Sequence, residues 1–265
     1  MGVPRKLTLT LAALMMAQSL AGLMAPEQYR DVEWIRATWY GNDWLTLIVA
    51  VPLLLTSGVV AVRGSPRAFL LWAGAVGYAV YNYAFYLLGA ALNAFFPVYV
   101  VCVVLAAVML ILTLGRLDAA TMTLSARPPA PLPLIGGSFV VIGLGLAVVW
   151  TAMWAAHVFA GRPTPVDPEA FRLVAALDLS MMVPALVSGG VLLWRRRPWG
   201  VVLAAIAGVQ GSLYLAILSI NSLIAIERGL AMLPGELVVW APLAALTVTV
   251  TLLLLASVRP RNKAQ

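Results

Sequence analysis

The sequence predicts an all-α protein, a polytopic membrane helical bundle of eight transmembrane helices with both termini in the cytoplasm. Three observations lead to this prediction. The chain is 63% hydrophobic and 10% charged, with a mean hydropathy of +0.97, whereas a soluble domain is about half apolar and about a quarter charged. Its apolar residues gather in runs of about 20, the length that crosses a hydrocarbon core about 30 Å thick. The charged residues lie between these runs.

Eight apolar runs are long enough to span a bilayer. The first also resembles a signal peptide, because Arg5 and Lys6 precede it and small residues follow it. Pro26 directly after Ala25 disfavours cleavage there, so we expect an uncleaved span. Cleavage near Ala17-Gln18-Ser19 would instead leave seven spans and an external N-terminus. In order, the predicted spans are 7–25, 44–62, 68–90, 97–115, 133–156, 172–194, 199–223 and 238–257.

Basic and acidic breaks alternate along the chain, and this alternation predicts the orientation. Cytoplasmic loops of membrane proteins carry an excess of Arg and Lys. Arginine also outnumbers lysine, which is typical of a GC-rich bacterial genome, so we expect a multi-pass protein of the inner or plasma membrane. The basic segments contain Arg5, Lys6, Arg63, Arg67, Arg116, Arg127, Arg195, Arg196, Arg197, Arg259, Arg261 and Lys263, while the other loops contain Glu27, Asp31, Glu33, Asp43, Asp167, Glu169, Glu227 and Glu236.

Several functional classes are disfavoured by the residues that the chain lacks. The net charge is +7, and the Arg and Lys residues that produce it lie at the ends of apolar runs, as orientation signals do, and not in a nucleic-acid-binding patch. Cys102 is the only cysteine and His157 the only histidine, and a metal site normally needs three or four ligands. Lys6 and Lys263 lie in the tails, which excludes a retinal Schiff base within a helix. We therefore predict no metal, no cofactor and no enzymatic activity.

Aromatic residues cluster where the predicted helices meet the membrane surface. Such belts form because an indole or phenol ring is apolar while its N–H or O–H is hydrated. The segment 26–43 is long enough to lie on the membrane as an amphipathic element anchored by Trp34 and Trp39, or to form a lid over a pocket. Asp43 is interpreted as an interfacial cap. The belt residues are Trp34, Trp39, Tyr40 and Trp44 on the outside and Trp194 and Trp199 on the inside.

The two halves of the chain resemble each other, which predicts an internal repeat of four plus four spans. The proline-rich segment 125–133 separates the halves, 1–128 and 129–265. Each half would begin and end on the same side of the membrane, so the repeat would be parallel. Pro52 and Pro184 should each kink a helix. The matched pairs are Pro52 and Pro184, Gly58 and Gly190, Arg63 and Arg195, and Pro66 and Pro198, with a second, gapped match of Asn82, Tyr86, Leu87 and Asn93 to Gln210, Tyr214, Leu215 and Asn221.

Polar residues inside the predicted spans are the candidate functional site. An acid within a span is costly and usually faces the bundle interior, and Asp178 is the clear case. It would be protonated, or ionised beside a bound cation or water. Tyr and Asn recur at helical spacing in the third span, and Gln and Tyr in the seventh, either as hydrogen-bonding contacts between helices or as a ligand site. The candidates for binding a ligand or a proton are Asp178, Asn82, Tyr86, Gln210 and Tyr214.

These features favour a transporter-like protein for a small solute, coupled to a proton or cation, with an outward-facing polar cavity. A non-transporting sensor or an accessory subunit of a larger membrane complex is the alternative. An enzyme acting on lipid is disfavoured, since no set of acid, base or metal ligands is evident. The expected partners are the lipid bilayer, a small-molecule ligand or cation, and a membrane protein partner or a second copy of the chain, but no nucleic acid.

Overall fold

The computed structural model describes residues 2–122, 131–164, 167–229 and 235–258, and their regular elements are helices. Two of the long helices contain a π-helical turn. Short 3₁₀ turns lie at Pro26–Gln28 and Ala119–Thr121. The helices are α1 (Arg5–Met24), α2 (Glu33–Leu45, the π turn Thr46–Ala50 and Val51–Val62), α3 (Pro66–Gly89), α4 (Phe96–Leu114), α5 (Leu132–Ala160), α6 (Pro168–Leu177, the π turn Asp178–Met182 and Val183–Trp194), α7 (Pro198–Glu227) and α8 (Gly235–Ser257).

Several predicted features lie outside the described residues. They include most of the proline-rich segment 125–133 and the boundary between residues 128 and 129 that would separate the halves. Arg127, Arg259, Arg261 and Lys263 lie there as well, as do the side chains of Trp34 and Glu236.

Local sequence explains how the turns between helices form. Ser65 caps α3, its hydroxyl accepting a hydrogen bond from the N–H of Ala68, and Pro66 occupies the first helical position. Asp167 caps α6 in the same way through the N–H of Glu169, ahead of Pro168. The turn before α3 requires a positive φ, which Gly64 supplies at 91°.

Seven of the eight helices in the described chain are long and apolar enough to cross a membrane. The exception is α3, which corresponds to the predicted span 68–90. Its 24 residues include tyrosines, Trp72 and Asn82, which lower its apolar content, and most of its side chains are buried among other helices. The prediction of a multi-pass helical membrane protein is therefore confirmed, with seven candidate spans.

Helices α3 and α7 form the centre of the bundle and pack against each other. Around them, α2 packs on α1 and α3, and α6 packs on α5 and α7 in the same relation. The amino-terminal part of α2 reaches α7, and that of α6 reaches α3. The outer helices expose large apolar side chains: the apolar window of α8 is 22% buried, against 67% for α7. The exposed faces of α4, α5 and α8 are therefore suited to lipid.

The expectation for segment 26–43 is wrong in two respects. Helix α2 begins at Glu33 and continues through this segment into the second span, so no separate surface element is formed. Trp39 is 1% exposed and is not an interfacial anchor. It can be buried because its indole N–H donates to Oδ2 of Asp31 at 3.0 Å. Trp44, Trp194 and Trp199 are exposed, as belt residues should be.

Candidate functional site

Asp178 begins the π-helical turn of α6, directly ahead of a proline. The N–H of Val183 donates to the carbonyl oxygen of Asp178, five residues earlier. Pro184 has no N–H, so the next hydrogen bond back to the preceding turn of this helix cannot form. The same arrangement occurs in α2, where Val51 donates to Thr46 and Pro52 follows. Both predicted kink prolines therefore lie beside a local break in helical hydrogen bonding.

Three helices each contribute one hydrogen-bond donor to the carboxylate of Asp178, which is 0% exposed. The hydroxyl of Tyr81 on α3 donates to Oδ1 at 2.5 Å. The indole N–H of Trp150 on α5 donates to Oδ2 at 2.8 Å, and the hydroxyl of Tyr214 on α7 donates to the same oxygen at 3.3 Å. No Lys or Arg within the described ranges forms an ion pair with this carboxylate.

The five candidate residues from the sequence do not converge on one site. Tyr214 contacts Asp178, but Tyr86 donates to Asp43. Asn82 is 3% exposed, and its side-chain nitrogen has no hydrogen-bond partner within the described chain. Gln210 is buried beside Gly77. In this structure these side chains are enclosed by the bundle and do not line an open vestibule.

Two of the three donors to Asp178 were missed by sequence reasoning. Tyr81 precedes Asn82 by one residue and so falls off the helical stripe of Tyr78, Asn82 and Tyr86. Trp150 lies in an apolar span whose periodicity does not indicate which helix it faces. Its pairing with Asp178 depends on the packing of α5 against α6, which no local pattern encodes.

Asp43 forms a second buried carboxylate centre, which corrects its interpretation as an interfacial cap. It is 0% exposed. Its Oδ2 accepts from the hydroxyl of Tyr29 at 2.6 Å. Its Oδ1 accepts from the hydroxyl of Tyr86 at 2.9 Å and from the amide nitrogen of Gln18 at 3.2 Å. The neighbour Trp44, which suggested the interface, points outward, while Asp43 faces the bundle interior.

Aromatic rings enclose the Asp43 centre. Tyr86 stacks between Trp39 and Tyr99, with ring centroids 4.7 and 5.0 Å apart. Tyr83 donates to the side-chain oxygen of Gln18 at 3.1 Å and so orients its amide toward Asp43. Burial, reinforced by the charge of Asp43, raises the pKa of Tyr29 well above its usual value, so this phenol stays protonated and remains a donor.

Several residues of the two centres share one sequence separation. Thr46 and Asp178, which start the two π turns, are 132 residues apart. Gln18 and Trp150 have the same separation, and Gln18 donates to Asp43 while Trp150 donates to Asp178. The acids themselves do not share this separation, because the residue 132 positions after Asp43 is Ala175 and not Asp178.

Contacts between the halves are reciprocal with the same separation of 132 residues. A Cβ added to Gly41 would meet Asn221, and one added to Gly89 would meet Leu173. Likewise Gly74 faces Val209, and Gly77 faces Ile206. Adding 132 to the first residue number of one pair and subtracting 132 from the second gives the residues of its reciprocal pair, so the same two contacts recur at a constant sequence separation.

No protein-family model matches this chain, and no curated protein or solved structure is significantly similar to it. Within the described residues, no three His, Cys, Asp or Glu side chains are close enough together to hold a metal ion. His157 is exposed, with its Nδ1 2.8 Å from the carbonyl oxygen of Arg162.

Proposed function

We propose that this protein is a transporter-like carrier of a small solute, coupled to a proton or a cation that binds at Asp178. The observation that supports it is a fully buried carboxylate with donors from three helices and no basic partner in the described chain. An ionised acid inside a membrane protein costs several kcal/mol. Binding of a proton or cation removes that charge and gives the centre two states of comparable free energy.

The position of Asp178 between two repeated halves supports the same proposal. We place the repeat at 1–128 and 129–265, related by an axis along the membrane normal. The reciprocal glycine contacts and the matched π turns are consistent with this register. Transporters built from parallel repeats bind substrate between the halves. Tyr81 comes from the first half, whereas Trp150 and Tyr214 come from the second.

The proposed topology has eight spans, with α3 as the eighth. Its 24 residues would extend about 36 Å at 1.5 Å per residue, enough to cross the hydrocarbon core. Its polar side chains face neighbouring helices and not lipid, which lowers the free-energy cost of placing this helix across the membrane. Arg63, Arg67 and Arg195 then lie on the cytoplasmic side with both termini, by the excess of positive charge.

The π turns give the proposed carrier a place to bend. Helix α2 and helix α6 each lose regular hydrogen bonds ahead of their proline, at the level of the buried acids. A hinge there would open the outer half of the bundle and expose the enclosed polar side chains as the expected outward-facing cavity. The closed arrangement described above would be the occluded state of that cycle.

The experiment compares Asp178→Asn with the wild type in detergent and in liposomes. Thermal stability is measured across pH and across a panel of ions, amino acids, sugars and lipids, followed by uptake of any stabilising solute. We expect the wild type to be stabilised by a ligand, or by a change of pH, that has no effect on Asp178→Asn. Asp167→Asn is the matched control, because Asp167 is an exposed cap on the same helix and Asn caps equally well.

The proposal would be refuted if Asp178→Asn retained pH-dependent binding or uptake. The second candidate, a non-transporting sensor or accessory subunit, is favoured by the complete enclosure and hydrogen bonding of both acids. It predicts that no solute stabilises either protein and that a stoichiometric membrane partner co-purifies at native expression. In neither case do the described residues form a recognisable catalytic set, and we propose no enzymatic role.

A further inference from the structure

We propose that Asp43 is a second proton-binding site of this protein, which takes up and releases a proton within a closed network of phenols. The inference goes beyond the function proposed above, because it holds whether or not Asp178 couples transport. It is based on the hydrogen-bond geometry around Asp43, which provides partners for both the ionised and the protonated acid.

In the ionised state, the carboxylate accepts three hydrogen bonds from neutral donors. These are the hydroxyls of Tyr29 and Tyr86 and the amide of Gln18. Asp31 is occupied elsewhere, accepting from Trp39 and from the backbone N–H of Ala91. No ion pair to Asp43 occurs among the described residues, so its charge is compensated by dipoles alone.

A second acceptor for Tyr86 makes the protonated state equally well bonded. The Tyr86 hydroxyl lies 2.9 Å from Oδ1 of Asp43 and 3.3 Å from the carbonyl oxygen of Trp39. When a proton binds at Oδ1, the Tyr86 hydroxyl rotates and donates to the Trp39 carbonyl. The phenol oxygen then accepts from the new O–H of Asp43. One proton is gained, one hydroxyl rotates and no buried group loses its partner.

The surroundings select a proton over a larger cation. The polar atoms bonded to Asp43 are donors in the ionised state, whereas a metal ion needs several oxygen ligands directed at it. The rings of Trp39, Tyr86 and Tyr99 stack on one another with centroids 4.7 and 5.0 Å apart, so no organic cation fits between their faces. A proton needs no such space.

One spare hydroxyl next to Asp43 shows that the network is not saturated. Ser19 is 0% exposed and lies close enough to Asp43 to interact with it, and its hydroxyl has no partner at hydrogen-bond distance and angle among the described residues. Buried hydroxyls without partners are rare in stable proteins. The Ser19 hydroxyl provides a further position to which a rotating hydroxyl can be directed. The buried hydroxyl of Tyr99, on the ring stacked against Tyr86, also lacks a partner in the described chain and makes no hydrogen bond to Asp43.

Phenols are the titratable groups that face Asp43 from the elements around it. Arg36 lies on the same helix seven residues earlier, about 10 Å along the axis, and its buried Nε has no hydrogen-bond partner among the described residues. Arg228, directly after α7, contacts the ring of Tyr40. The phenols that feel the charge of Asp43 are Tyr29 ahead of α2, Tyr78, Tyr83 and Tyr86 on α3, and Tyr99 on α4.

Infrared difference spectroscopy tests the proposal directly, since a protonated, dry carboxylic acid has its own C=O stretching band. The full-length protein in liposomes would be titrated with pH as wild type, Asp43→Asn, Asp178→Asn and the double variant. We expect the wild type to show a pH-dependent band of dry carboxylic acid, distinct in frequency from the bands of the exposed acids, that is lost in part in Asp43→Asn and lost entirely in the double variant. The band that remains in Asp178→Asn is the one assigned to Asp43.

A conservative pair of tyrosine variants covers the case in which Asp43→Asn does not fold. Tyr86→Phe keeps the stacked ring but removes the rotating hydroxyl, so the frequency of the Asp43 band should shift. Tyr99→Phe, whose hydroxyl has no partner, should leave that frequency unchanged. A spectrum of Asp178→Asn without any pH-dependent acid band would overturn the proposal for Asp43. If the wild type shows the Asp43 band but no band that can be assigned to Asp178, the result would instead count against the transport proposal.

Discussion

The crossing of α3 and α7 provides a quantitative test of how the two halves fit together. Gly74 lies against Val209, and a Cβ at position 74 would approach Cγ1 and Cγ2 of Val209 to 2.8 and 3.1 Å, with Cβ of Val209 nearer still. Carbon atoms pack best about 3.5–4.0 Å apart. Gly74→Ala therefore forces the two central helices apart or shifts Val209.

The size of the effect follows from two opposing contributions. Overpacking a close contact costs about 1–3 kcal/mol, while replacing glycine by alanine within a helix gains about 1 kcal/mol. Gly74→Ala should thus destabilise the protein by up to about 2 kcal/mol. Gly145→Ala is the control, because Gly145 is exposed on α5 and nothing lies within 4 Å of the added carbon. It should be neutral or slightly stabilising.

The assay is reversible unfolding in mixed micelles with increasing SDS, read out by tryptophan fluorescence. Val209→Gly removes the atoms that clash, so the Gly74→Ala/Val209→Gly double variant should be more stable than the sum of the single effects predicts. The coupling energy for residues in contact is about 0.5–3 kcal/mol. Additive effects, or a Gly74→Ala variant as stable as Gly145→Ala, would show that α3 and α7 do not meet at these residues.

Three further predictions concern single positions. Burial raises the pKa of Tyr29, so the folded state favours the neutral phenol, and the contribution of Tyr29 to folding stability is present below the ordinary tyrosine pKa of about 10 and is lost as the pH rises beyond it. The stability advantage of the wild type over Tyr29→Phe should therefore shrink between pH 9 and 11 (roughly one unit either side of that pKa). An unchanged difference in melting temperature would contradict this prediction. Arg196 has a φ of 55°, and Gly64, 132 positions earlier, also has a positive φ. Arg196→Gly should therefore stabilise the protein by about 1 kcal/mol in the SDS assay, while Arg195→Gly should not. Gly22→Ala would place a carbon against the Tyr29 hydroxyl and Oδ2 of Asp43, so it should lower the melting temperature, whereas Gly137→Ala, with open space around it, should have no such effect.

Much of the fold could be predicted from the sequence because the bilayer imposes a length and a polarity on each span. The apolar runs predicted the positions of most helices closely: the predicted span 97–115 corresponds to the helix Phe96–Leu114. The segment 26–43 was harder to interpret, because its charged residues and tryptophans suit a membrane surface as well as a protein interior. Hydrogen bonds such as that from Trp39 to Asp31 decide between the two, and they depend on tertiary structure.

The candidate site was only partly predictable for the same reason. The cost of burying an acid identifies Asp178 from the sequence, and helical spacing places Tyr214 with Gln210 on one polar face of the seventh span. Asp43 was underrated because it lies at the end of a predicted apolar run, next to an exposed tryptophan. Its burial depends on Gln18, Tyr29 and Tyr86, which reach it from three separate segments. Sequence periodicity describes one helix at a time and does not predict such convergence.

In the proposed repeat, electrostatic repulsion within one helix would account for the offset between the two acids. Each half would have two equivalent positions, one helical turn apart, at which an acid could be buried, and would use only one of them. In the first half the other position is Thr46, which shares a hydrogen bond of 2.9 Å with Tyr78, and in the second half it is the buried Ala175. Two carboxylates three residues apart on a helix repel each other, and burial strengthens that repulsion. We therefore expect Thr46→Asp to destabilise the protein more than Thr46→Asn, and the added Asp43→Asn change to recover part of the loss. In the proposed repeat, the two acids would therefore occupy positions that are not equivalent, and the two proposed proton sites would have different surroundings.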